Sequence, residues 1–320
     1  MDFWLTDEQQ ALADMVATFA ADRFPPERTA VTEDTDEVVD GEAWAALAEL
    51  GVFSLALDGM GVREAAVVFE QLGRGLVPGP LVPTWLAAGL IDGAADGTVA
   101  VTLCEPQPGA TLVEHATMAS TCLVFTDDAL WSVPTEALRP QRLERPLDAG
   151  APVWQVTDTV DPAALGGTQL ATGAEATNRW RTGVVLTAAL AAGVAVGAGE
   201  LATAYAKERE QFGRPIGGFQ AVKHLCADML VHAEVARSAV YAAACALDGA
   251  SDDDPAVAVS SAKVVAGEAA LANGRAGIQV HGGMGFTWEV HAQRYWKRAV
   301  TLDATFGTAD THALLVADAL

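Results

Sequence analysis

The stretch Arg209 to Phe219 reads R-E-Q-F-G-R-P-I-G-G-F. Arg209 offers a planar fork of fixed-charge donors that matches a phosphate. Gln211 brings both a donor and an acceptor, and Phe212 a flat apolar face. A second stretch, Gln279 to Glu289, reads Q-V-H-G-G-M-G-F-T-W-E. Paired glycines let backbone come close to a ligand and aim N–H groups at an anion. Each stretch also has a plain structural reading. The first could be a polar helix hairpin with an arginine on its rim. The second could be a glycine C-cap, which accounts for one glycine but not for Gly282, Gly283 and Gly285 with Gln279, His281 and Trp288 around them.

Both stretches sit where long apolar helical patterns stop. Gly213, Pro215, Gly217 and Gly218 are a stop-and-turn signal between an Ala-, Leu- and Val-rich pattern and the next one, which carries A-V-K-H-L-C-A-D-M-L. Helical spacing predicts Thr182 to Glu208, Phe219 to Leu247, Pro255 to Val280 and Trp288 to about Thr305, joined by short connections. That order suggests an antiparallel four-helix bundle over residues 178–320. Residues 1–97 read as a helical domain. Thr6 can cap a helix on which Leu12, Met15, Val16, Phe19 and Ala20 recur, and Pro25 and Pro26 end it. Shorter helices follow at Glu42 to Leu50, Val62 to Leu76 and up to Leu90, with the acidic run Glu33 to Asp40 as a solvated loop. Residues 98–177 read as a small β-domain, with strands Val99 to Leu103, Thr121 to Phe125, Ala129 to Val133 and Val153 to Val156.

The chain has 320 residues, 51% hydrophobic and 19% charged, enough for an ordered core in two or three compact parts. A formal net charge of −23 argues against nucleic acid and against an anionic membrane surface. It also means that any polyanionic ligand needs local basic residues or a partner. Cys104, Cys122, Cys226 and Cys245 lack metal-type spacing, and no metal site is expected. The acidic opening M-D-F-W-L-T-D-E is unlike a signal peptide. The apolar run Val184 to Ala198 is short for a bilayer span. A cytoplasmic location is the expectation.

Together the two stretches, extended to A-Y-A-K-E-R-E-Q-F-G-R-P-I-G-G-F-Q-A-V-K-H and T-W-E-V-H-A-Q-R-Y-W-K-R-A, resemble the acyl-CoA dehydrogenase family of flavoenzymes. The resemblance implies a mainly α fold: an N-terminal helical domain, a reduced, barrel-like middle β-domain and a C-terminal four-helix bundle. It implies FAD as cofactor, an acyl-CoA substrate and electron-transfer flavoprotein or a similar acceptor. In the family these two motifs touch an FAD held mainly by a neighbouring subunit. The matching cofactor-binding residues here are Arg209, Gln211, Phe212, Gln279, Val280, Gly282 and Gly283. The middle domain departs from the family. Cys104 to Ala110 reads C-E-P-Q-P-G-A, without the usual serine, and no Trp-Ile-Thr-like strand follows.

The family's reaction removes the α-proton of the thioester with a carboxylate held in a dry pocket. The two positions that carry this glutamate in the family match Phe306, in T-F-G-T, and Gly183. Neither takes a proton, so no catalytic residue is assigned. Asp303 and Asp310 flank Phe306 at helical intervals and are displaced-base candidates, or simply capping and solvent-facing carboxylates. His281 and His291 are further acceptors, read as structural. The pattern resembles actinobacterial acyl-CoA dehydrogenases that degrade steroid side chains, built from two unlike subunits of which one carries the base. It implies a heterotetramer in which this chain is the other subunit. The alternatives are a homo-oligomer with a relocated base and a non-catalytic scaffold.

Overall fold

The computed structural model describes residues 5–25, 38–106 and 111–319. Part of the acidic loop (33–37) and Gln107 to Ala110 of the C-E-P-Q-P-G-A segment lie outside these residues. In chain order the helices are α1 (Asp7–Arg23), α2 (Gly41–Glu49), α3 (Val62–Arg74) and α4 (Leu81–Ala87). Strands β1 (Val101–Cys104), β2 (Thr111–Glu114), β3 (Thr121–Phe125), β4 (Ala129–Pro134), β5 (Gln141–Arg142), β6 (Val153–Val156) and β7 (Thr168–Thr172) follow. Then come α5 (Gly173–Glu208), β8 (Glu210–Gln211), β9 (Arg214–Pro215), α6 (Gln220–Leu247), α7 (Pro255–His281), α8 (Ala292–Ala304) and α9 (Ala309–Ala319). Two compact units form, one from Met1–Pro26, Ala66–Val77 and Val184–Leu320, the other from Glu27–Ala65 and Pro78–Gly183.

The second unit holds the sheet. Its order is β5-β6-β2-β1-β3-β4-β7, with β1 and β3 parallel and the other pairs antiparallel. Among the described residues it runs from edge strand β5 to edge strand β7 as the small β-domain expected between the helical parts. One face closes over Cys104, Val113, Cys122, Val124, Val133, Leu138 and Val156. Sequence reading found β3 and β6 as they stand and β1 and β4 nearly so. It missed β2, β5 and β7, which are short or polar; β7, T-Q-L-A-T, has one buried residue and gives little alternation to read. In the same unit Trp44 donates to Gly97 O at 2.9 Å and stacks near Phe53 at 4.7 Å.

The first unit is helical. Thr6 and Gln9 cap α1 reciprocally, as the sequence suggested for Thr6. Helix α5 runs longer than either its apolar pattern or the Val184–Ala198 run implied. By length and composition α5, α6 and α7 each reach what a bilayer span needs, so the length argument against one does not hold. For α5 the apolar surface goes elsewhere: its most apolar window is 78% buried inside the fold. Glycines make that burial possible. A Cβ on Gly73 of α3 would overlap the Leu190 backbone, and one on Gly193 of α5 would overlap the Glu70 backbone. Two helices therefore cross almost backbone to backbone. Asn273 of α7 ties three helices, donating to Ala195 O at 2.9 Å and Met229 O at 2.8 Å and meeting His232 Nδ1 at 3.1 Å. Cys226 and Cys245 on α6 are half-buried, Cys104 and Cys122 buried, and among the described residues none forms a disulfide. Among the described residues no cluster suited to a metal forms.

At the α3–α6 contact, Glu70 is 1% exposed. Arg237 grips it through Nη2 at 2.7 Å and Nε at 2.9 Å, and the Tyr241 hydroxyl donates at 2.7 Å. Burial opposes the Arg237 charge, but the bond and field of Glu70 outweigh it and keep the guanidinium protonated. Burial, then Glu70, push the Tyr241 pKa up, so the phenol stays a donor. Glu70→Ala would leave Arg237 with Glu234 at 2.9 Å and take away the acceptor of the Tyr241 hydroxyl. The expected loss is about 1–3 kcal/mol in urea unfolding of the chain; a loss under about 0.5 kcal/mol would mean that the pair holds nothing.

Candidate functional site

Arg209 follows the last turn of α5, its N–H bonded to Tyr205 O at 2.8 Å. The chain then folds into a two-residue hairpin, with Glu210 opposite Pro215 and Gln211 opposite Arg214. Both loop residues have positive φ, Phe212 at 53° and Gly213 at 77°. That backbone pattern matches the twist of the strands and normally takes Asn-Gly. Left-handed backbone costs a non-glycine residue roughly 1–2 kcal/mol. Phe212 accepts that cost and still has its ring 91% exposed, with only an edge contact to Phe219 at 6.1 Å. Arg209, Gln211 and Arg214 are exposed beside it, and the Arg214 guanidinium lies 4.1 Å from the Phe219 ring centre.

Helix α7 ends at the same end of the bundle. Gln279 is exposed, and Gly282 closes the helix at φ 62° with its N–H on Gln279 O. Residues Gly282–Phe286 then form a short 3-10 turn. The three glycines have different reasons. Gly282 needs its positive φ. A Cβ on Gly285 would sit 2.5 Å from Ile278 O, so the turn folds hard onto α7. Gly283 has neither constraint: a Cβ there would meet nothing within 4 Å. Its small size serves something outside the chain or nothing at all.

Packing joins the two stretches. Tyr205 stacks on His281 with ring centres 4.2 Å apart, and its hydroxyl reaches Met284 Sδ at 3.9 Å. Val280 is 7% exposed and packs with Ala202, Ala206, Met229 and Ile216, so its side chain belongs to the core. His281 is buried, and Nδ1 donates to Gly277 O at 2.7 Å, which fixes it as a structural donor. The arrangement gathers Arg209, Gln211, Phe212, Gln279 and Gly283 on one end of the helices, open to solvent.

The expected base positions lie elsewhere and differ in kind. Gly183 is buried within α5. Phe306 is fully buried at φ 56°, between α8 and α9. Lys263, itself 1% exposed, donates to Leu302 O and to Thr305 O, the latter at 2.8 Å. His312 Nε2 donates to Phe306 O at 2.8 Å, which leaves Nδ1 to accept from Ser260 Oγ at 3.1 Å. Asp303 Oδ1 accepts from Ala309 N at 3.0 Å, capping α9, and Asp310 is exposed in the first turn of that helix. Sequence reading did not find α9, although Thr308 caps it through Thr311 N at 3.2 Å. It also missed Lys263 and His312, whose importance shows only once the turn is folded.

Two measurements check this geometry. Gly283→Ala is expected to leave the stability of the isolated chain within about 0.5 kcal/mol of wild type, whereas Gly285→Ala loses about 1–3 kcal/mol. Equal losses would show that Gly283 is needed by the chain's own packing. The second concerns pH. Burial pushes the His312 pKa below its ordinary value; the bond to Phe306 O pulls the other way without overcoming it. The neutral ring in the folded state and a value of about 6.5 in the unfolded state fix the sign. His312 contributes fully above that unfolded value and loses its contribution as pH falls through the lower folded value, by up to about 1.4 kcal/mol per unit. Melting curves from pH 7.5 to 5.5 should fall more steeply for wild type than for His312→Gln; parallel curves would remove the idea.

Comparison with known proteins accords with this geometry. The chain matches the acyl-CoA dehydrogenase N-terminal domain over residues 6–98 and the C-terminal domain over residues 174–320. It is 32% identical to the acyl-CoA dehydrogenase IpdE2 of Mycobacterium tuberculosis, over 92% of this chain and 91% of that protein. It is 33% identical to the acyl-CoA dehydrogenase FadE34 of the same organism over 92% of this chain, but spans only 45% of FadE34. Among solved structures, a variant of the Tcur3481–Tcur3483 steroid ACAD superposes with a TM-score of 0.82 at 25% identity, covering 98% of this chain and 97% of that one. The chain belongs to the acyl-CoA dehydrogenase family.

Proposed function

We propose that the chain is the base-lacking subunit of a heteromeric, FAD-dependent acyl-CoA dehydrogenase. It lends a phosphate clamp to a flavin that a partner subunit mainly holds, and the partner supplies the carboxylate. One observation carries the reading. A strained, solvent-facing clamp at Arg209–Phe212 coexists with a buried apolar side chain at position 306.

The residues present fit the polar part of FAD. Arg209 would hold the diphosphate as a bidentate donor. Gln211 and Gln279 would bond its flanking oxygens, Phe212 would lie on the adenosine side, and Gly283 would let backbone approach. Bound, the flavin would take up the hydride that leaves the substrate's β-carbon; this chain's part is to bind and orient. A buried phenylalanine at position 306 moves no proton. Support comes from the relatives as well. FadE34 is long enough to hold a second unit of similar size beyond the matched part. The solved relative is named as a pair and as a steroid ACAD, which favours a bulky, steroid-derived CoA thioester as substrate. Electrons would pass to electron-transfer flavoprotein or a similar acceptor, in the cytoplasm. No geometry favours Asp303 or Asp310 as a displaced base, since one caps a helix and the other faces water.

The test is co-expression with a second acyl-CoA dehydrogenase homologue that carries a glutamate at one of the two base positions. The complex is expected to turn over an acyl-CoA thioester. Replacing the partner's base glutamate with glutamine abolishes turnover, while Asp303→Asn and Asp310→Asn leave it within about twofold. Arg209→Ala weakens FAD retention at least tenfold, equivalent to about 1.4 kcal/mol. Turnover by the isolated chain, or its loss on Asp303→Asn or Asp310→Asn, would contradict the assignment.

A further inference from the structure

Helices α5 and α6 part along a groove of about 780 Å³, and no residue of the phosphate clamp lines it. Sites for small molecules run from about 300 to 1,000 Å³. Ala195, Val196, Gly199 and Ala204 line the groove from α5, and Met229 and Ala233 from α6. Short apolar side chains thus make its floor. Gly199 is the telling one. A Cβ on either of the two glycines before it, Gly193 and Gly197, would collide with the backbone of α3. A Cβ on Gly199 would meet only Met229 Cβ, at an ordinary 3.7 Å. Helix crossing therefore demands the first two glycines and not the third, although glycine inside a helix is less stable than alanine. What Gly199 does is keep the floor open.

Shape and charge narrow the occupant. The α5 lining runs from Ala195 to Glu208, about 20 Å at 1.5 Å per residue. Spread over that length the volume is about 7 Å across, narrower than a helix with its side chains, which measures about 10–12 Å. A flat ring system is thin enough. At one end the charges are already satisfied. Arg237 lines the groove with its guanidinium on Glu70 at 2.7 Å and on Glu234 at 2.9 Å, and Glu200 accepts from Arg74 Nε at 2.7 Å. The other end, toward Arg209, carries Lys207 and Glu208, whose exposed side chains pair with nothing among the described residues. Together they offer a donor and an acceptor without net charge. A hydroxyl group answers both, accepting from the ammonium and donating to the carboxylate. A charged head group would set one of the two against a like charge.

We propose that this groove binds a neutral, flat, fused-ring molecule with a hydroxyl group at one end, a hydroxysteroid in shape and polarity. Its rings lie over Gly199, and its hydroxyl sits between Lys207 and Glu208. Rigid rings lose little entropy on binding, and the ion pairs of Arg237 hold the closed end in place beforehand. The site is separate from the clamp, and the inference does not rest on the function proposed above.

The groove carries its own reporter, since Cys226 lines it and is half-buried, whereas Cys104 and Cys122 are buried. The experiment uses the full chain with Cys245→Ala, so that Cys226 is the thiol left to a maleimide. Its modification is followed by mass spectrometry, and binding of dehydroepiandrosterone by equilibrium dialysis. The steroid is expected to bind with saturation and to slow the modification several-fold. Gly199→Val and Ala204→Phe fill the groove, and each is expected to weaken binding by about tenfold or more; melting curves identify which of the two variants is folded. Lys207→Met is expected to weaken binding as well. 1-Decanol, which has the hydroxyl but no rings, is expected to protect Cys226 about tenfold less well. A Cys226 that does not react in the ligand-free chain, or reacts as fast in saturating steroid, would overturn the site. Steroid binding retained by a folded filling variant would do the same. Equal protection by 1-decanol would overturn the fused-ring ligand.

Discussion

The geometry at Phe212 constrains everything else at the candidate site. A two-residue hairpin directly after α5 forces both loop residues into left-handed backbone, and one of them is a bulky aromatic whose ring is almost wholly in water. Folding alone would favour asparagine there, which adopts that backbone more readily and prefers water. Hiding a phenylalanine ring from water is worth about 1.5–3 kcal/mol, and the isolated fold forgoes it. Backbone strain of this kind clusters at binding and active sites. The hairpin is small, but its position is not free. Ile216, just beyond it, packs with Ala202, Ala206 and Val280, so the core that joins α5, α6 and α7 also fixes where Arg209 and Phe212 face.

The turn at Phe306 shows the opposite use of the same backbone region. There too a phenylalanine has positive φ, but its ring is fully buried. The carbonyls around it are taken up by a buried lysine and a buried histidine. One left-handed phenylalanine faces outward where a cofactor motif lies. The other faces inward at the position that the resemblance matches to a proton acceptor. In the function proposed here the first would serve binding, while the second is part of the core. That contrast, more than the sum of family likenesses, makes a division of labour between two subunits the natural account.

Much of this was readable in the sequence because long helices repeat their pattern many times. Helices α5, α6 and α7 announce themselves through apolar residues at helical spacing, and β3 and β6 through β-branched and aromatic runs. The place of both motif stretches at helix ends was readable too, from the glycines and the proline that stop each apolar pattern. What failed was local or three-dimensional. Short polar strands such as β5 and β7 carry too few residues for a period to show. The order of the strands depends on which edges pair, which no single strand reveals. The separate reasons for Gly282, Gly283 and Gly285 appear only when a backbone carbonyl is seen beside one and empty space beside another. The burial of Phe306 was equally hidden, because a phenylalanine between Thr305 and Gly307 reads the same whether it faces in or out.

The central claim is that this chain borrows its flavin across an interface. It is tested most directly by counting flavin against protein in purified material. Absorbance of the flavin, set against the amount of each polypeptide, is expected to give none for the chain purified alone and one per pair for the chain purified with its homologous partner. A full equivalent of flavin bound to the chain alone would contradict the account.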